Sequence, residues 1–229
     1  MDAKDKTIYE KADAVTKAVS IKKEGRLEQI YYYCGNREIA RDLYDKNGVL
    51  LHRSGKIPDG TVKECYKDNT VKKVISFKNG KAHGKTIEYY PGGEIFEGNN
   101  FRQGRLHGRS TMYRRDGTIW IEAHYSNGKL HGAFISYHDN GSTDTQAEYR
   151  YGRLNGHRSR HGRYSGLLEE AAFSHGKKQG EHRFYYETGQ LTKIETYSRG
   201  RLLYSKEFDE DGKVTAIRNQ DDKYQEVIP

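Results

Sequence analysis

The sequence predicts an all-β protein: an elongated, single-layer antiparallel sheet of 24-residue β-hairpin repeats with a short helix at its N-terminus. Three observations carry this prediction. A short motif recurs every 24 residues through most of the chain. In the segments between its copies, apolar and polar residues alternate along the chain. Asn-Gly or Asp-Gly pairs follow these alternating segments. A fixed period of this length is typical of repeat proteins, in which each unit buries its apolar side against its neighbours.

The recurring motif consists of an aromatic residue, a Gly-Lys or Gly-Arg pair and a second glycine. Its clearest copy runs from Tyr125 to Gly132, and Tyr137 with Gly141 marks the far turn of the same unit. A strand glycine leaves space for an aromatic ring of the next strand, and such cross-strand pairs contribute about 0.2–1 kcal/mol each. We therefore assign a structural role in the repeat to Phe77, Gly80, Gly84, Tyr89, Phe101, Gly104, Gly108, Tyr113, Tyr125, Gly128, Gly132, Tyr137, Tyr149, Gly152, Gly156, Phe173, Gly176, Gly180, Tyr185, Tyr197 and Gly200.

Four segments follow one another along the chain. Residues 1–30 are predicted to form an amphipathic helix over residues 5–20 and a lead-in, because Ile8, Ala12, Val15 and Val19 recur at helical spacing. Residues 31–70 carry degenerate copies of the motif. Residues 71–213 form the regular array, and residues 214–229 form a C-terminal tail.

Each unit of the array is predicted to be one hairpin. Ile119, Ile121 and Ala123 place apolar side chains on one side of a strand, since successive side chains of a strand point to opposite faces. Asn, Asp and Gly tolerate a positive φ and so close two-residue hairpins. The pairs that predict such turns are Asn79-Gly80, Asp116-Gly117, Asn127-Gly128 and Asn140-Gly141.

Composition limits the class of protein and its compartment. The mean hydropathy of -1.04 is too polar for a thick two-layer core, yet 19 Tyr and 25 Gly are unlike a disordered chain. Cys34 and Cys65 lack the spacing of a zinc site and the density of a secreted disulfide scaffold, so we expect free thiols and a cytoplasmic protein without a transmembrane segment. A net charge of +8 makes nucleic acid, anionic lipid or an acidic protein possible partners.

The motif, its order and its period resemble the MORN repeat, and in particular its bacterial variant. Six copies cover about Phe77 to Tyr204. Two glycines of the standard unit are replaced, for example by Ala123 and Phe134, as in the variant. The resemblance implies a β-hairpin array used for protein contact, and in some eukaryotic members for phospholipid contact. It also implies an antitoxin role, because bacterial variants are often described as antitoxins of toxin–antitoxin pairs.

No pattern in the sequence indicates catalysis, a cofactor or a metal site. His83, His107 and His131 recur at the repeat period, but copies two strands apart lie ~9.6 Å from one another, too far for one ion with bonds of ~2.1 Å. Glu169 and Glu170 are adjacent in a predicted strand and so face opposite ways. An activated nucleophile and a phosphate-binding glycine loop are also lacking. We therefore expect neither catalytic nor metal-ligating residues, no cofactor, and a protein that is not an enzyme.

Arginines are the candidates for partner binding. On a sheet, residues one unit apart align into basic rows that attract an anionic surface. The same charges are also typical of a solvated face that keeps a β-rich protein soluble. The predicted partner-binding residues are Arg109, Arg114, Arg153, Arg158, Arg160 and Arg163.

The sequence as a whole favours a non-enzymatic repeat scaffold that binds a protein partner along one broad sheet face. Through the antitoxin resemblance, that partner would be a cognate toxin blocked by steric cover. The alternative is electrostatic binding of anionic phospholipid or nucleic acid through basic rows on the sheet. Neither hypothesis includes a small-molecule substrate.

Overall fold

The computed structural model describes residues 16–23, 26–66, 68–219 and 225–226. These residues form β-strands joined by turns, and none of them is helical, so the predicted all-β class is confirmed. No described segment is a helix long and apolar enough to cross a membrane. The chain divides into two compact units: residues up to Ile95 together with Phe101–Gly104, and Phe96–Asn100 together with the residues from Arg105 onward.

The first unit contains a seven-stranded sheet. Two antiparallel meanders, the first four strands and the next three, are joined by a parallel pair between the first and fifth strands. The spatial order is therefore β4–β3–β2–β1–β5–β6–β7. The strands are β1 (Thr16–Lys23), β2 (Arg26–Cys34), β3 (Arg37–Tyr44), β4 (Leu50–Gly55), β5 (Gly60–Cys65), β6 (Val71–Lys78) and β7 (Lys81–Tyr89).

A compact apolar core holds this first sheet together. Tyr32 of β2 and Phe77 of β6 meet edge to face, with ring centroids 6.0 Å apart, and Ile57 between β4 and β5 is fully buried. Beside the rings, the buried carboxylate of Asp42 accepts a hydrogen bond from Tyr32 Oη at 3.0 Å. The remaining core residues are Ala18, Ala40 and Val62.

The helix predicted over residues 5–20 is wrong where the structure describes it, because residues 16–20 belong to β1. Ala18 is buried, while Val19 is 39% and Ile21 43% exposed. Ala18 pairs with Tyr32 on one side and with Glu64 on the other. Pairing on both sides of β1 therefore overrides the helical spacing of its apolar residues. Residues 5–15 of the predicted helix lie outside the described residues.

The second unit continues the chain as a meander in which successive strands pair antiparallel. Its first pair joins β8 (Ile95–Arg102), through Glu97 and Gly98, to β10. The predicted C-terminal tail contributes β19, which pairs with β18. The strands are β9 (Arg105–Leu106), β10 (Gly108–Tyr113), β11 (Ile119–Ser126), β12 (Lys129–Tyr137), β13 (Thr143–Arg150), β14 (Arg153–His161), β15 (Leu167–Ser174), β16 (Lys177–Tyr185), β17 (Leu191–Ser198), β18 (Arg201–Phe208), β19 (Val214–Asn219) and β20 (Gln225–Glu226).

Two kinds of turn alternate between these strands. In the tight turns, both central residues have positive φ, as at Asn127 (51°) and Gly128 (81°), so the predicted two-residue hairpin is confirmed there and at Asn79-Gly80. At Asp116-Gly117 and Asn140-Gly141 only the glycine has positive φ, so the two-residue prediction is wrong at these two wide turns. The reason is visible at Asp116, whose carboxylate accepts hydrogen bonds from Thr118 N–H at 2.9 Å and Thr118 Oγ1 at 2.7 Å and so holds a three-residue loop.

Candidate functional site

One face of the second sheet carries a row of aromatic rings. The ring of each motif pairs across the strands with the second glycine of the preceding motif, as Tyr149 does with Gly132. The same face carries buried alanines, at Ala123, Ala147 and Ala171. We call it the aromatic face. Its rings, each partly exposed, are Tyr125, Phe134, Tyr149, Phe173, Phe184 and Tyr197.

A cluster of charged side chains interrupts the aromatic face between β14 and β17. Glu169 Oε1 lies 2.9 Å from Arg158 Nη1 and 2.9 Å from His182 Nε2, and Arg160 Nε lies 3.3 Å from Glu169 Oε2. On the other side of the imidazole, Glu195 Oε2 lies 3.6 Å from His182 Nδ1. We call Arg158, Arg160, Glu169, His182 and Glu195 the His182 cluster.

Burial and pairing set the charges within the His182 cluster. Burial lowers the pKa of His182, and its hydrogen bond to Glu169 only partly opposes this effect. Burial alone would raise the pKa of Glu169, but His182 and the Arg158 guanidinium hold it below its usual value. At neutral pH the cluster therefore contains a neutral imidazole that donates through Nε2–H to an ionised Glu169.

The six arginines predicted to bind a partner do not share one surface. Arg158 and Arg160 lie on the aromatic face, whereas Arg109 lies on the opposite face, where it pairs with Glu122. Arg114 and Arg163 belong to wide turns: Arg114 donates to the carbonyl oxygens of Ile119 and Tyr137, and Arg163 pairs with Asp139. Arg153 is exposed and follows a tight turn.

The opposite face carries a carboxylate network that recurs two units apart. Glu122 accepts from Arg109 and, at 3.2 Å, from Tyr137 Oη. Forty-eight residues later, Glu170 accepts from Tyr185 Oη at 2.7 Å and from Arg183 at 3.3 Å. The Tyr185 hydrogen bond is the largest cause of the lowered pKa of Glu170. The charges of this face are thus largely neutralised within the sheet.

Arg153, one of the predicted partner-binding residues, belongs to a row of basic residues along the tight turns. In the second unit, the residue directly after each tight-turn glycine is Lys or Arg and is exposed; these residues are Arg105, Lys129, Arg153, Lys177 and Arg201. The signal was present, since this position is part of the motif, but of these five residues only Arg153 was among the predicted partner-binding residues. Within the described residues, no group of three or more His, Cys, Asp or Glu side chains could hold a metal ion.

Successive hairpins with a partly exposed aromatic face define a β-repeat protein. More particularly, the MORN repeat variant matches residues 106–127 and 178–199, so these parts of the array are repeats of the family that the motif resembles. Repeats of this kind are generally binding repeats.

Solved structures are similar to this chain only at a low level, and no curated protein matches it. A crystal structure of TcdB2-TccC3-Cdc42 has 16% sequence identity and a TM-score of 0.21 over 88% of this chain. A Tc holotoxin pore structure from Photorhabdus luminescens has 16% identity and a TM-score of 0.15 over 90% of this chain. The chain spans 10% and 14% of the length of those two chains.

Proposed function

We propose that this chain is a non-enzymatic, cytoplasmic scaffold that binds a partner protein on the aromatic face of its second unit. Binding would neutralise the partner by covering its surface, in the manner of an antitoxin. The observation that carries the proposal is the row of half-exposed rings between Tyr125 and Tyr197. The unbridged Cys34 and Cys65 support the cytoplasmic location.

The aromatic face is large enough for a stable protein interface. Eight strands, β11 to β18, spaced at ~4.8 Å and about 8 residues long at ~3.3 Å each, give a face of roughly 38 by 26 Å, or about 1,000 Å². A standard interface buries ~800 Å² on each partner. A single partner domain can therefore rest on this face without contacting the rest of the chain.

The chemistry of the face also fits a protein partner. Interface centres are enriched in Tyr, Phe and Arg, which combine apolar area with polar atoms. Here the half-exposed rings flank Arg158, whose side chain is 28% exposed and whose charge is already balanced by Glu169. A balanced charge of this kind supports specific contacts more than long-range attraction of any polyanion.

Affinity capture with face-specific variants tests this proposal. The double variant Phe134→Glu with Phe184→Glu adds two charges to the aromatic face. Its matched control, Gln146→Glu with Ala172→Glu, adds two charges to exposed positions of the opposite face. We expect the wild-type chain and the control to retain the same protein from native lysate, and the aromatic-face variant to lose it.

The salt dependence of binding distinguishes a protein partner from the alternative, an anionic phospholipid or nucleic acid. A complex centred on aromatic rings changes little as salt rises, whereas binding of anionic phospholipid or nucleic acid weakens steeply. Capture that survives high salt and requires Phe134 and Phe184 supports a protein interface. Equal capture by both double variants, each with unchanged circular dichroism, would rule out the aromatic face as the binding surface.

A further inference from the structure

The positive charge of the second unit is concentrated along one edge of its sheet. Residues 125–131, 149–155, 173–179 and 197–203, which contain the tight turns, include seven Lys or Arg and no Asp or Glu. Residues 113–119, 137–143, 161–167, 185–191 and 208–214, which contain the wide turns, include six Asp or Glu against four Lys or Arg. The two edges therefore differ in sign as well as in turn type.

We call the row of Arg105, Lys129, Arg153, Lys177 and Arg201 the basic edge. Four of its side chains, those of Arg105, Lys129, Arg153 and Lys177, differ from the arginines of the two faces, which pair with Glu122, Glu169 or Glu170. Within the described part of the chain, Arg105, Lys129, Arg153 and Lys177 form no ion pair. Their charges remain available to an anion from outside.

Contacts between neighbouring turns fix the spacing of the basic edge. The Gly128 N–H donates to Leu106 O at 2.8 Å, and the same bond recurs one and two units later. The stem of each basic residue lies against the next turn glycine, so that a Cβ added to Gly176 would lie 3.7 Å from Arg153 Cβ. Turns two strands apart place successive charges ~9.6 Å from each other.

An exposed aromatic ring lies in the middle of the basic edge. Tyr151 is 61% exposed although its φ is 50°, a left-handed conformation that disfavours bulky residues. Its ring centroid lies 4.8 Å from that of His131, and the Arg150 guanidinium lies 6.0 Å from it. The equivalent residues of the other tight turns in this array are Gln103, Asn127, His175 and Arg199, which share this backbone conformation. Among these five turns, the one beside Arg153 therefore presents a phenol ring.

We propose that the basic edge binds single-stranded nucleic acid, with phosphates on its Lys and Arg row and a base stacked on Tyr151. Proteins that bind single strands combine a positive track along the backbone with aromatic side chains for the bases. In a duplex the bases stack on one another, so none of them could stack on Tyr151. An acidic protein segment would match the charges but has no reason to select the exposed ring.

Fluorescence anisotropy with a labelled 16-nucleotide poly(U) RNA and the full chain tests the proposal. Replacing Lys129, Arg153 and Lys177 by Gln should reduce the slope of log K against log salt by about 2, at ~0.7 for each lost phosphate contact. Tyr151→Asn should weaken binding on the order of tenfold and leave that slope unchanged, because stacking carries no charge.

Matched controls distinguish an effect of the basic edge on RNA binding from an effect of net charge and from an effect of the aromatic face. Replacing Arg115, Arg163 and Lys213 by Gln removes three charges at the wide turns and should leave the RNA affinity within about twofold of wild type. The Phe134→Glu and Phe184→Glu variant should also bind RNA normally, so failure of one proposal is distinguishable from failure of the other. Circular dichroism shows that each variant is folded.

Several results would overturn the proposal. These are no RNA binding at low salt, equal losses in the two triple variants, or equally tight binding of an RNA duplex of the same length. Stronger competition by a poly-Glu peptide than by unlabelled RNA would assign the basic edge to an acidic protein instead. Competition by anionic vesicles alone would assign it to a membrane surface.

Discussion

Asp42 is fully buried in the first unit, and its environment shows how one residue holds a region together. Its carboxylate accepts from Tyr32 Oη at 3.0 Å, Tyr44 Oη at 3.2 Å and Arg53 Nε at 2.5 Å. Burial raises the pKa of Tyr44 to about 12, and the Asp42 charge adds to this effect. Both hydroxyls therefore stay protonated and donate to the carboxylate throughout the physiological range.

We expect Asp42→Ala to lower the free energy of unfolding by ~3–5 kcal/mol, because it leaves Arg53 and two hydroxyls without their acceptor. Urea unfolding followed by circular dichroism measures the change. Glu38→Ala is the control, since the Glu38–Arg41 pair is exposed and solvent screens its attraction. Similar losses in the two variants would contradict the role assigned to burial.

His182 should make stability depend on pH. Because burial lowers its pKa, the folded protein binds this proton more weakly than the unfolded chain, whose histidine titrates near 6.5. The free energy of unfolding should therefore fall as pH drops below about 6.5 toward the lower pKa of the folded protein, while the lowered pKa of Glu169 favours the ionised form of that carboxylate. Urea titrations across this range should show a weaker pH dependence for His182→Gln.

His157→Gln provides the matched histidine control, since this imidazole is 53% exposed. It should retain the pH dependence of the wild-type chain. A His182→Gln variant that loses stability with falling pH as fast as wild type would show that other groups cause the effect.

Part of this residue-scale chemistry could be predicted from the sequence. Adjacent Glu169 and Glu170 were expected to face opposite ways, and each anchors a network on its own face. The pairing of Arg158 and Arg160 with Glu169 could not be foreseen, because it depends on strand register. Register follows from bulges such as the one between Arg160 and His161, which recurs directly before Tyr137 and Tyr185 in other units but is not visible as a bulge in the sequence.

At the scale of the element, the tight turn is the part most sensitive to substitution. Gly152 has a φ of 83°, and we expect Gly152→Ala to lower the free energy of unfolding by about 1–2 kcal/mol, because a Cβ strains this left-handed backbone. Thermal unfolding monitored by circular dichroism measures the loss. Gly166→Ala is the control, since no positive φ and no atom within 4 Å oppose a Cβ there. If both variants were equally stable, the backbone would not be the constraint.

The sequence predicted tight turns well and the first strand poorly, for opposite physical reasons. Asn-Gly pairs act locally, so Asn127-Gly128 closes a hairpin whatever surrounds it. Residues 16–20 were assigned to a helix from spacing alone, but β1 is formed by pairing with β5 more than forty residues away. The wide turn at Asp116 was predicted in place but not in length, because a hydrogen bond to its side chain selects the longer loop.

At the scale of the whole molecule, the second unit should lose structure from its C-terminal end. Strands β13 to β15 pair along their length on both sides, whereas β19 is followed only by the two-residue β20. Repeat units couple mainly to their neighbours, so protection falls toward an end. Hydrogen exchange measured by mass spectrometry should therefore be slowest in β13–β15 and fastest in β19. Uniform protection across the strands would indicate a single cooperative block.

The two units also differ in how much of them the sequence could predict. The 24-residue period gives the strands, pairing partners and aromatic rows of the second unit, since each hairpin repeats the last. In the first unit, the parallel β1–β5 pair and the Tyr32–Phe77 contact join segments that share no motif. Long-range contacts of this kind are specified by packing and leave no local signal.

The hydrogen bond from each turn glycine to the preceding turn has a genetic consequence. Because the bond from Gly128 to Leu106 is repeated from Gly152 to Leu130 and from Gly176 to Leu154, duplication of any 24-residue segment would recreate the same junction. An insertion of odd length within a strand would instead turn the later side chains of that strand to the wrong face. Gene duplication can thus lengthen this chain in whole steps, each adding one ring and one positive charge.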